Sequence, residues 1–557
     1  MGPERALVRL AFDVWIWCGM AQQYDYIIVG AGSAGCVLAG RLSADPAKQI
    51  LLLECGGKNH DFLIGMPKGI GKLVRSPAHC LTYEVGGERL AGQPPEVWVR
   101  GKGLGGSSAI NGMIWSRGHP QDFDHWERLG CTGWNWQTMK SAYKALEDHP
   151  LGPSDAHGSG GPVAISSGTF RYPLTEDMIA AGEMMGLERV EDLNDKPVER
   201  VGYYSHNISK GRRVSAAHAY LDPARARANL HILTGARVHR VLFDGNRAVS
   251  VAVAVGGKVA TFDCRGEIVL SAGLLESPRL LELSGIGPAA VLEAAGVPLL
   301  HDSPDVGNRM REHASISMPF RIGSNCGSHR SFFGLGLMRS AIQYQLFHTG
   351  ALATGPFEVG GFTRIGGGKG PPNLQLYLGG YVFALSDDSF PVPLADVDRR
   401  PGMMIYGQLL QLESEGSIHI RSADPSAPPV INPNWLAAEN DQRLAIEAIR
   451  YIRRYASQPP LRRHIVEELL PGGECQSDEA MLLAFRRLAT CGLHGTGTCR
   501  MGSDERSVVD ERLRVRGVSG LRVADCSVMP GLVSGNTNAP AMATGYRAAD
   551  LIIDDSR

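Results

Sequence analysis

The sequence predicts an α/β fold joined to a second, sheet-based part of α+β character. Three features predict it. A buried strand–helix–strand unit lies near the N-terminus. A run of strands with turn signals fills residues 229 to 272. Of 557 residues, 43% are apolar and 20% charged. A chain of this length can bury a large core and corresponds to roughly two to four domains.

Taken in order, "MGPERALVRLAFDVWIWCGM" holds a short apolar run interrupted by Asp13, with no small-x-small cleavage site after it. Residues 1–22 therefore read as an extension, disordered or loosely docked, with Met20 as an alternative start. "YDYIIVG" is a buried strand ending in glycine, "AGCVLAGRLSA" has helical spacing, and "QILLLE" is a second buried strand. Together they form a βαβ unit. Residues 80 to 120 are rich in Gly and Trp and show no long periodic run. "TEDMIAAGEMMGL" reads as an amphipathic helix. "LHILTGARVHRVLFDG", "AVSVAVAVGG" and "EIVLSAG" read as strands, and "SPRLLELSGIG" as a helix stopped by glycine. Residues 314 to 412 mix aromatics with Gly-Gly pairs, and "ALSDDSFPVPLADVDRRPG" within them reads as a loop over a pocket. "EGSIHIRSAD" and "PPVINPNWL" return to strand and turn chemistry. "DQRLAIEAIRYIRRYAS" is a helix, "GLRVADCSVMPG" a short strand, and "APAMATGYRAADLII" a closing helix. There is no internal repeat.

Lys plus Arg number 56 and Asp plus Glu 57, with no long block of one sign. This argues against a nucleic-acid surface or a polybasic anchor. No run of 18 uncharged apolar residues exists, so no spanning helix is expected. The eleven cysteines are scattered, without a C-x-x-C pair. They read as reduced thiols of a cytosolic protein. No His/Cys/Asp/Glu cluster has metal spacing, and no metal is expected.

The chemistry begins at Gly30-x-Gly32-x-x-Gly35, which follows a strand and opens a helix. The first glycine permits the turn, the second lets a pyrophosphate approach the backbone, and the third packs helix on strand. Ser33 and Ala34, between them, stand at the helix N-terminus, where free N–H groups meet phosphate. Glu54 ends the next strand, and a carboxylate there can accept from ribose hydroxyls. This pattern does not separate FAD from NAD. A second cluster, "RGKGLGGSSAINGMIWSRG", contains Gly105, Gly106 and Ser107, followed by Asn111, Gly112, Met113 and Ile114. It is too apolar for a purely solvated loop, and its bare backbone suits close approach to a flat ligand.

From Tyr24 onward the chain resembles the glucose–methanol–choline (GMC) flavoprotein oxidoreductases, nearest their bacterial alcohol and choline dehydrogenases. The glycine fingerprint, "GKGLGGSSAINGMIWSRGHPQDFD", "GLLESPRLLELSGIG", "VGNRMREH", "FEVGGFTR", "HGTGTCRMG" and "GLRVADCSVMPGLVSGNTNAP" carry the resemblance, in order. Leu274 departs from it, standing where the family usually has a small residue. The resemblance implies a Rossmann-like FAD-binding domain from residues 23–160, 215–313 and 490–557. It implies a substrate-binding domain from 161–214 and 314–489. Glu54 would bind the adenosine ribose, and Asn111 to Ile114 would run along the isoalloxazine. Val238 would contact the adenine side, Asp525 would lie near the ribityl and pyrophosphate, and Thr537 would touch the cofactor. His494 would be the base beside the flavin, with Asn538 as its partner.

The residues agree with that assignment for the base. Hydride leaves an alkoxide more readily than an alcohol, and histidine suits the proton transfer near neutrality. His313, His157 and His218 read as satisfied or exposed histidines, Cys499 as buried packing, and Met113 and Trp115 as packing near the ring. In covalent members a histidine stands where this chain has Ile110, so FAD should be held non-covalently. The resemblance implies a small-molecule alcohol as substrate. In choline-using members a glutamate stands at the position of Ser315. Ile316, Met318 and Phe320, with Phe332, Phe333, Tyr344, Phe347, Tyr377 and Tyr381, would line a pocket for a neutral, fairly apolar primary alcohol. The electron acceptor is left open between a quinone, another carrier and O2. The expected location is cytoplasmic, with a position peripheral to the membrane left open. The alternative function is a non-redox lyase on the same FAD fold.

Overall fold

The computed structural model describes residues 23–86, 95–383 and 397–556. The N-terminal extension and the core of the Pro/Asp-rich loop fall outside them.

The chain opens with β1 (Tyr24–Val29), α1 (Ser33–Leu42) and β2 (Ile50–Glu54). Their apolar runs are continuous because both faces of this sheet are covered. A hairpin follows, β3 (Cys80–Val85) with β4 (Glu96–Gly101). The sequence showed no periodicity there, since half its apolar face covers a cavity and not a core. Next come α2 (Pro173–Met184), β5 (Arg200–Tyr203), β6 (Leu230–Thr234), β7 (Ala236–Asp244), β8 (Arg247–Val255) and β9 (Lys258–Leu270). After α3 (Gly273–Leu283) the chain forms β10 (Ala314–Ile322), α4 (Gly334–Phe347), β11 (Val359–Thr363), β12 (Leu374–Gly379) and β13 (Gly402–Leu409). It ends with α5 (Glu439–Ala456), β14 (Ile465–Glu468), β15 (Leu521–Val523) and α6 (Asn538–Asp555).

Two large sheets result. The first runs β6–β2–β1–β9–β8–β7, with β15 also on β9. β1 pairs in parallel with β2 and β9, so Ile27 faces Leu51 on one side and Ile268 on the other. The second runs β14–β10–β13–β12–β11–β5, with the short strand Glu188–Arg189 beyond β5 and Thr490–Cys491 paired to β10. It is antiparallel apart from the Glu188–Arg189 pairing. Each sheet carries its own core of buried apolar side chains.

Glycines permit the closest approaches. A Cβ on Gly35 would lie 1.9 Å from the Gly30 carbonyl oxygen, and one on Gly545 would lie 2.6 Å from that of Ala34. The first lets α1 sit on the turn after β1, and the second lets α6 sit on α1. Gly35→Ala is therefore expected to overpack this junction and cost at least about 1–3 kcal/mol. Thermal unfolding should show a lowered Tm; an unchanged Tm would contradict this packing.

Candidate functional site

A cavity of about 390 Å³ is lined by residues of both sheets. At one end is the glycine turn. Gly30 has φ +101°, and a Cβ there would lie 2.5 Å from the Ser271 carbonyl oxygen. Gly32, Ser33 and Ala34 line the cavity. Gly32 is the N-cap of α1 and supplies no side-chain cap, so the first amides of the helix face the cavity uncapped. Gly106 comes so close that a Cβ on it would lie 2.7 Å from Gly32 Cα. Ser107 lines the wall beside it. Gly35 and Gly105 stand behind the wall, Gly105 donating from its N–H to the Ala31 carbonyl at 2.8 Å.

Glu54 lines the same end, yet its carboxylate is already engaged. Oε2 accepts from Ala31 N at 3.0 Å, and Oε1 from Gly56 N at 2.8 Å and Gly103 N at 2.9 Å. It ties the glycine turn to the second glycine cluster. Asp525 is similar: Oδ2 accepts from Gly273 N at 2.8 Å and Ser277 Oγ at 2.6 Å, and Oδ1 from Ser527 N at 2.8 Å. Val238, Thr537 and the stretch Asn111, Gly112, Met113 and Ile114 also line the cavity. Asn111 Oδ1 accepts from Arg213 Nη1 at 2.8 Å. Met113 holds φ +62°, a left-handed conformation that costs a non-glycine residue about 1–3 kcal/mol.

His494 stands at the other end. Its remaining exposed surface faces the cavity. Leu493 before it has φ +61°, and a Cβ on Gly492 would lie 2.9 Å from His494 Nδ1. The loop thus needs its glycine there. Leu274, the unusual residue in its motif, fits because Gly495 opposite has no side chain: a Cβ there would lie 2.3 Å from Leu274 Cδ2. Glu312 clamps the loop. Its carboxylate accepts from His494 N at 2.7 Å, Gly495 N at 2.9 Å and His313 N at 2.9 Å. Burial pushes Glu312 up to about 7, against the pull of Arg100 and these N–H groups. Burial holds His494 well below the ordinary histidine value, and His313 and Arg100 push the same way.

The asparagine beside His494 is Asn536, not Asn538. Asn536 Nδ2 lies 3.1 Å from His494 Nε2. Asn538, two residues on, is the first residue of α6, and its Oδ1 accepts from Ser33 Oγ at 2.8 Å. The turn into the helix sends the two side chains to opposite ends of the cavity. Both belong to "GNTNAP", and nothing in that string distinguishes them.

Other expectations are corrected too. Ile316, Met318 and Phe320 are buried in the core of the second sheet. Phe347 is 69% exposed, and Tyr344 packs under α4 with Phe332, Leu352 and Met66. Of the expected aromatics, Tyr377 lines the cavity, joined by Phe357, Tyr406 and Pro356. Ser315 lines it as well, its Oγ donating to Gln408 Oε1 at 3.2 Å. His313 is buried, as a satisfied histidine would be, and its Nδ1 lies 3.3 Å from His494 Nδ1. The ten described cysteines are free.

One cluster was not visible from spacing. His149, His157 and Asp192 converge, both Nε2 atoms lying 3.8 Å from Asp192 Oδ2. His149 Nδ1 accepts from Leu151 N at 3.3 Å, and Arg117 Nη2 points at His157 Nδ1 from 3.4 Å. Both rings thus carry their proton on Nε2, toward the carboxylate, where a metal would need a lone pair.

Residues 24–315 and 413–545 match the N- and C-terminal profiles described as GMC oxidoreductase. The chain is 37% identical over 541 residues to "Alcohol dehydrogenase [acceptor]" of Pseudomonas putida, covering 95% of this chain and 96% of that one. It is 36% identical over 540 residues to "Oxygen-dependent choline dehydrogenase" of Burkholderia ambifaria, covering 95% and 94%. Among solved structures, pyridoxine 4-oxidase from Mesorbium loti superposes with TM-score 0.84 at 33% identity, covering 95% and 99%. An Aspergillus oryzae formate oxidase superposes with TM-score 0.87 at 26% identity, covering 96% and 98%.

Replacing Glu54 tests its place in this architecture. Glu54→Ala leaves three buried N–H groups without their acceptor, each worth about 1–3 kcal/mol. Chemical denaturation should show a clear loss of stability; a midpoint equal to wild type would contradict the bonding described.

Proposed function

Because this chain belongs to the GMC oxidoreductase family, we propose that its cavity holds FAD along the glycine turn and the second glycine cluster, with His494 and Asn536 acting on an alcohol at the far end. The residues fit the cofactor: an uncapped helix N-terminus, bare backbone at Gly30, Gly32 and Gly106, and Asn111 to Ile114 along one wall. FAD, when bound, supplies the hydride acceptor. Glu54 and Asp525 would offer their remaining acceptor capacity to ribose and ribityl hydroxyls.

The observation that carries this reading is the His494 Nε2–Asn536 Nδ2 pair, 3.1 Å apart, facing a cavity whose other end is the nucleotide fingerprint. His494 Nε2 takes the hydroxyl proton of the alcohol, which makes hydride departure from its carbon easier. Asn536 Nδ2 donates to the same oxygen and holds the developing alkoxide without titrating. A base so placed contributes roughly 10²–10⁴-fold.

The substrate reading is a neutral alcohol. Phe357, Tyr377, Tyr406 and Pro356 line the cavity, and Ser315 brings no charge. The carboxylates among the lining residues are Glu54, Glu276 and Asp525. Glu276 is held by Tyr83 and Arg279. Glu358 is turned to Lys68 and Tyr172.

No helix among the described residues is long and apolar enough to cross a membrane. However, α4 presents Leu335, Met338, Ile342 and Leu346 to solvent at i, i+3, i+7 and i+11, Leu335 being 79% exposed. Arg330 precedes this stripe and Arg339 lies within its span, and residues 323–357 contain no Asp or Glu. Such a face suits a membrane interface with anionic lipid, from which a lipid-soluble quinone could take the electrons. Sedimentation with anionic vesicles should carry the protein down, and Leu335→Ser with Ile342→Ser should release it. Equal sedimentation of wild type and variant would contradict this.

Anaerobic mixing with alcohols tests the chemistry. Benzyl alcohol and 1-octanol should bleach bound flavin faster than choline. His494→Ala should slow bleaching by roughly 10²-fold or more, Asn536→Ala by less, and Asn538→Ala least. Since the His494 pKa is lowered, its neutral, proton-accepting form persists as pH falls, and the acid limb should lie below pH 6.5. Fast bleaching in His494→Ala, or choline as the best reductant, would overturn these assignments.

A further inference from the structure

The polar side chains around His494 close a ring. His494 Nδ1 lies 3.3 Å from His313 Nδ1, which lies 3.2 Å from Gln408 Nε2. Gln408 Nε2 donates to Gln375 Oε1 at 3.1 Å, and Gln375 Nε2 donates to Asn536 Oδ1 at 3.0 Å. Asn536 Nδ2 returns to His494 Nε2 at 3.1 Å. A ring of amides and imidazoles can run in either sense, and each sense gives His494 a different tautomer.

One anchor outside the ring chooses between them. Tyr204 OH donates to the Leu376 carbonyl at 2.7 Å. A carbonyl cannot donate back, so the hydroxyl proton is committed there. The Tyr204 oxygen must then accept, and Gln375 Nε2 donates to it at 3.1 Å. Gln375 thus turns its nitrogen toward Tyr204 and Asn536 and its oxygen toward Gln408. Asn536, with Oδ1 accepting from Gln375, has Nδ2 left for His494. His494 Nε2 is therefore the lone-pair nitrogen, and its proton sits on Nδ1.

The orientation of His313 follows from the same chain of bonds. Gln408 turns its Nε2 to Gln375 Oε1, and that same nitrogen meets His313 Nδ1, so it donates there. The proton of neutral His313 is then on its other nitrogen, the buried Nε2. His313 Nδ1 is then an acceptor, receiving both Gln408 Nε2 and His494 Nδ1–H. Followed from Tyr204 in either direction around the ring, the bonds demand the same tautomer of His494. Both rings are neutral, burial pushing His313 down to about 3 and His494 well below its ordinary value.

We propose that Gln375 is a positioning residue that, through Asn536, sets His494 in its Nδ1–H tautomer and so keeps the Nε2 lone pair on the substrate side. This rests on the reading of His494 as the base. The arrangement also accommodates the proton once transferred. When Nε2 becomes protonated, Asn536 Nδ2 keeps a second acceptor in Tyr377 OH at 3.2 Å, and His494 Nδ1–H stays on His313. No buried donor is stranded by the transfer.

Glutamate at 375 can accept from Gln408 but cannot donate to Asn536. Asn536 would turn its nitrogen to the new carboxylate and its oxygen to His494, which would then carry its proton on Nε2. Two measurements on the FAD-loaded enzyme test this. In protein labelled with 15N in its histidine rings, the signals lost in His494→Ala identify His494. Wild type should show Nε2 as pyridine-type and Nδ1 as pyrrole-type, and Gln375→Glu the reverse. Anaerobic flavin bleaching by 1-octanol should slow about tenfold or more in Gln375→Glu, with half-saturation changed far less. A pyrrole-type Nε2 in wild type overturns the proposal without recourse to any variant. So does a Gln375→Glu enzyme that bleaches at the wild-type rate with its tautomer unchanged. A pyridine-type Nε2 in a wild type that no alcohol bleaches would uphold the tautomer and sink the alcohol reading instead.

Discussion

The site depends on one buried carboxylate. Glu312 accepts from the backbone N–H groups of His313, His494 and Gly495. It stands two residues before β10 of the second sheet, while the His494 loop leads toward the strand and helix that complete the first. A loop of Gly492, Leu493, His494 and Gly495 cannot hold its own shape, because glycine leaves it free and Leu493 is strained. Three bonds to one carboxylate do that work. Burying the charge has a consequence for pH. The folded-state pKa of Glu312 is raised to about 7, so the stability its proton adds is present below the ordinary carboxylate range and lost as pH rises through about 7.

The two sheets supply unlike things to one cavity. The first supplies backbone: uncapped amides after β1 and glycine surfaces with no side chains to obstruct a flat ligand. The second supplies side chains: Tyr377, Tyr406 and Gln408 from β12 and β13, and Ser315 from β10, with Gln375 buried behind them. The end proposed to react lies where they meet. The low pKa of His494 follows from that burial, and it keeps the proposed base neutral. Amides and a second neutral imidazole surround it, so proton transfer would place charge in a site of fixed dipoles.

The glycine fingerprint was legible because its physics is local: a strand, a tight turn and a helix N-terminus within a few residues. The His494 loop was legible because its motif is long. Between Asn536 and Asn538 the sequence offered no choice, since the answer lies in how the turn enters α6. His313, Glu312, Gln375 and Gln408 were missed for a related reason. They sit in strands or motifs where polar residues read as ordinary, and only strand pairing brings them to His494. The aromatic lining was misjudged because composition does not tell which side of a strand or helix faces the cavity. On α4 the same blindness ran the other way, and Phe347, taken for pocket lining, faces solvent.

The most direct test is a crystal structure of the FAD-bound enzyme with an unreactive alcohol analogue. The account predicts the alcohol oxygen within hydrogen-bond distance of both His494 Nε2 and Asn536 Nδ2, with Asn538 remaining on Ser33. An alcohol oxygen seated on Asn538, or on groups away from His494, would contradict it.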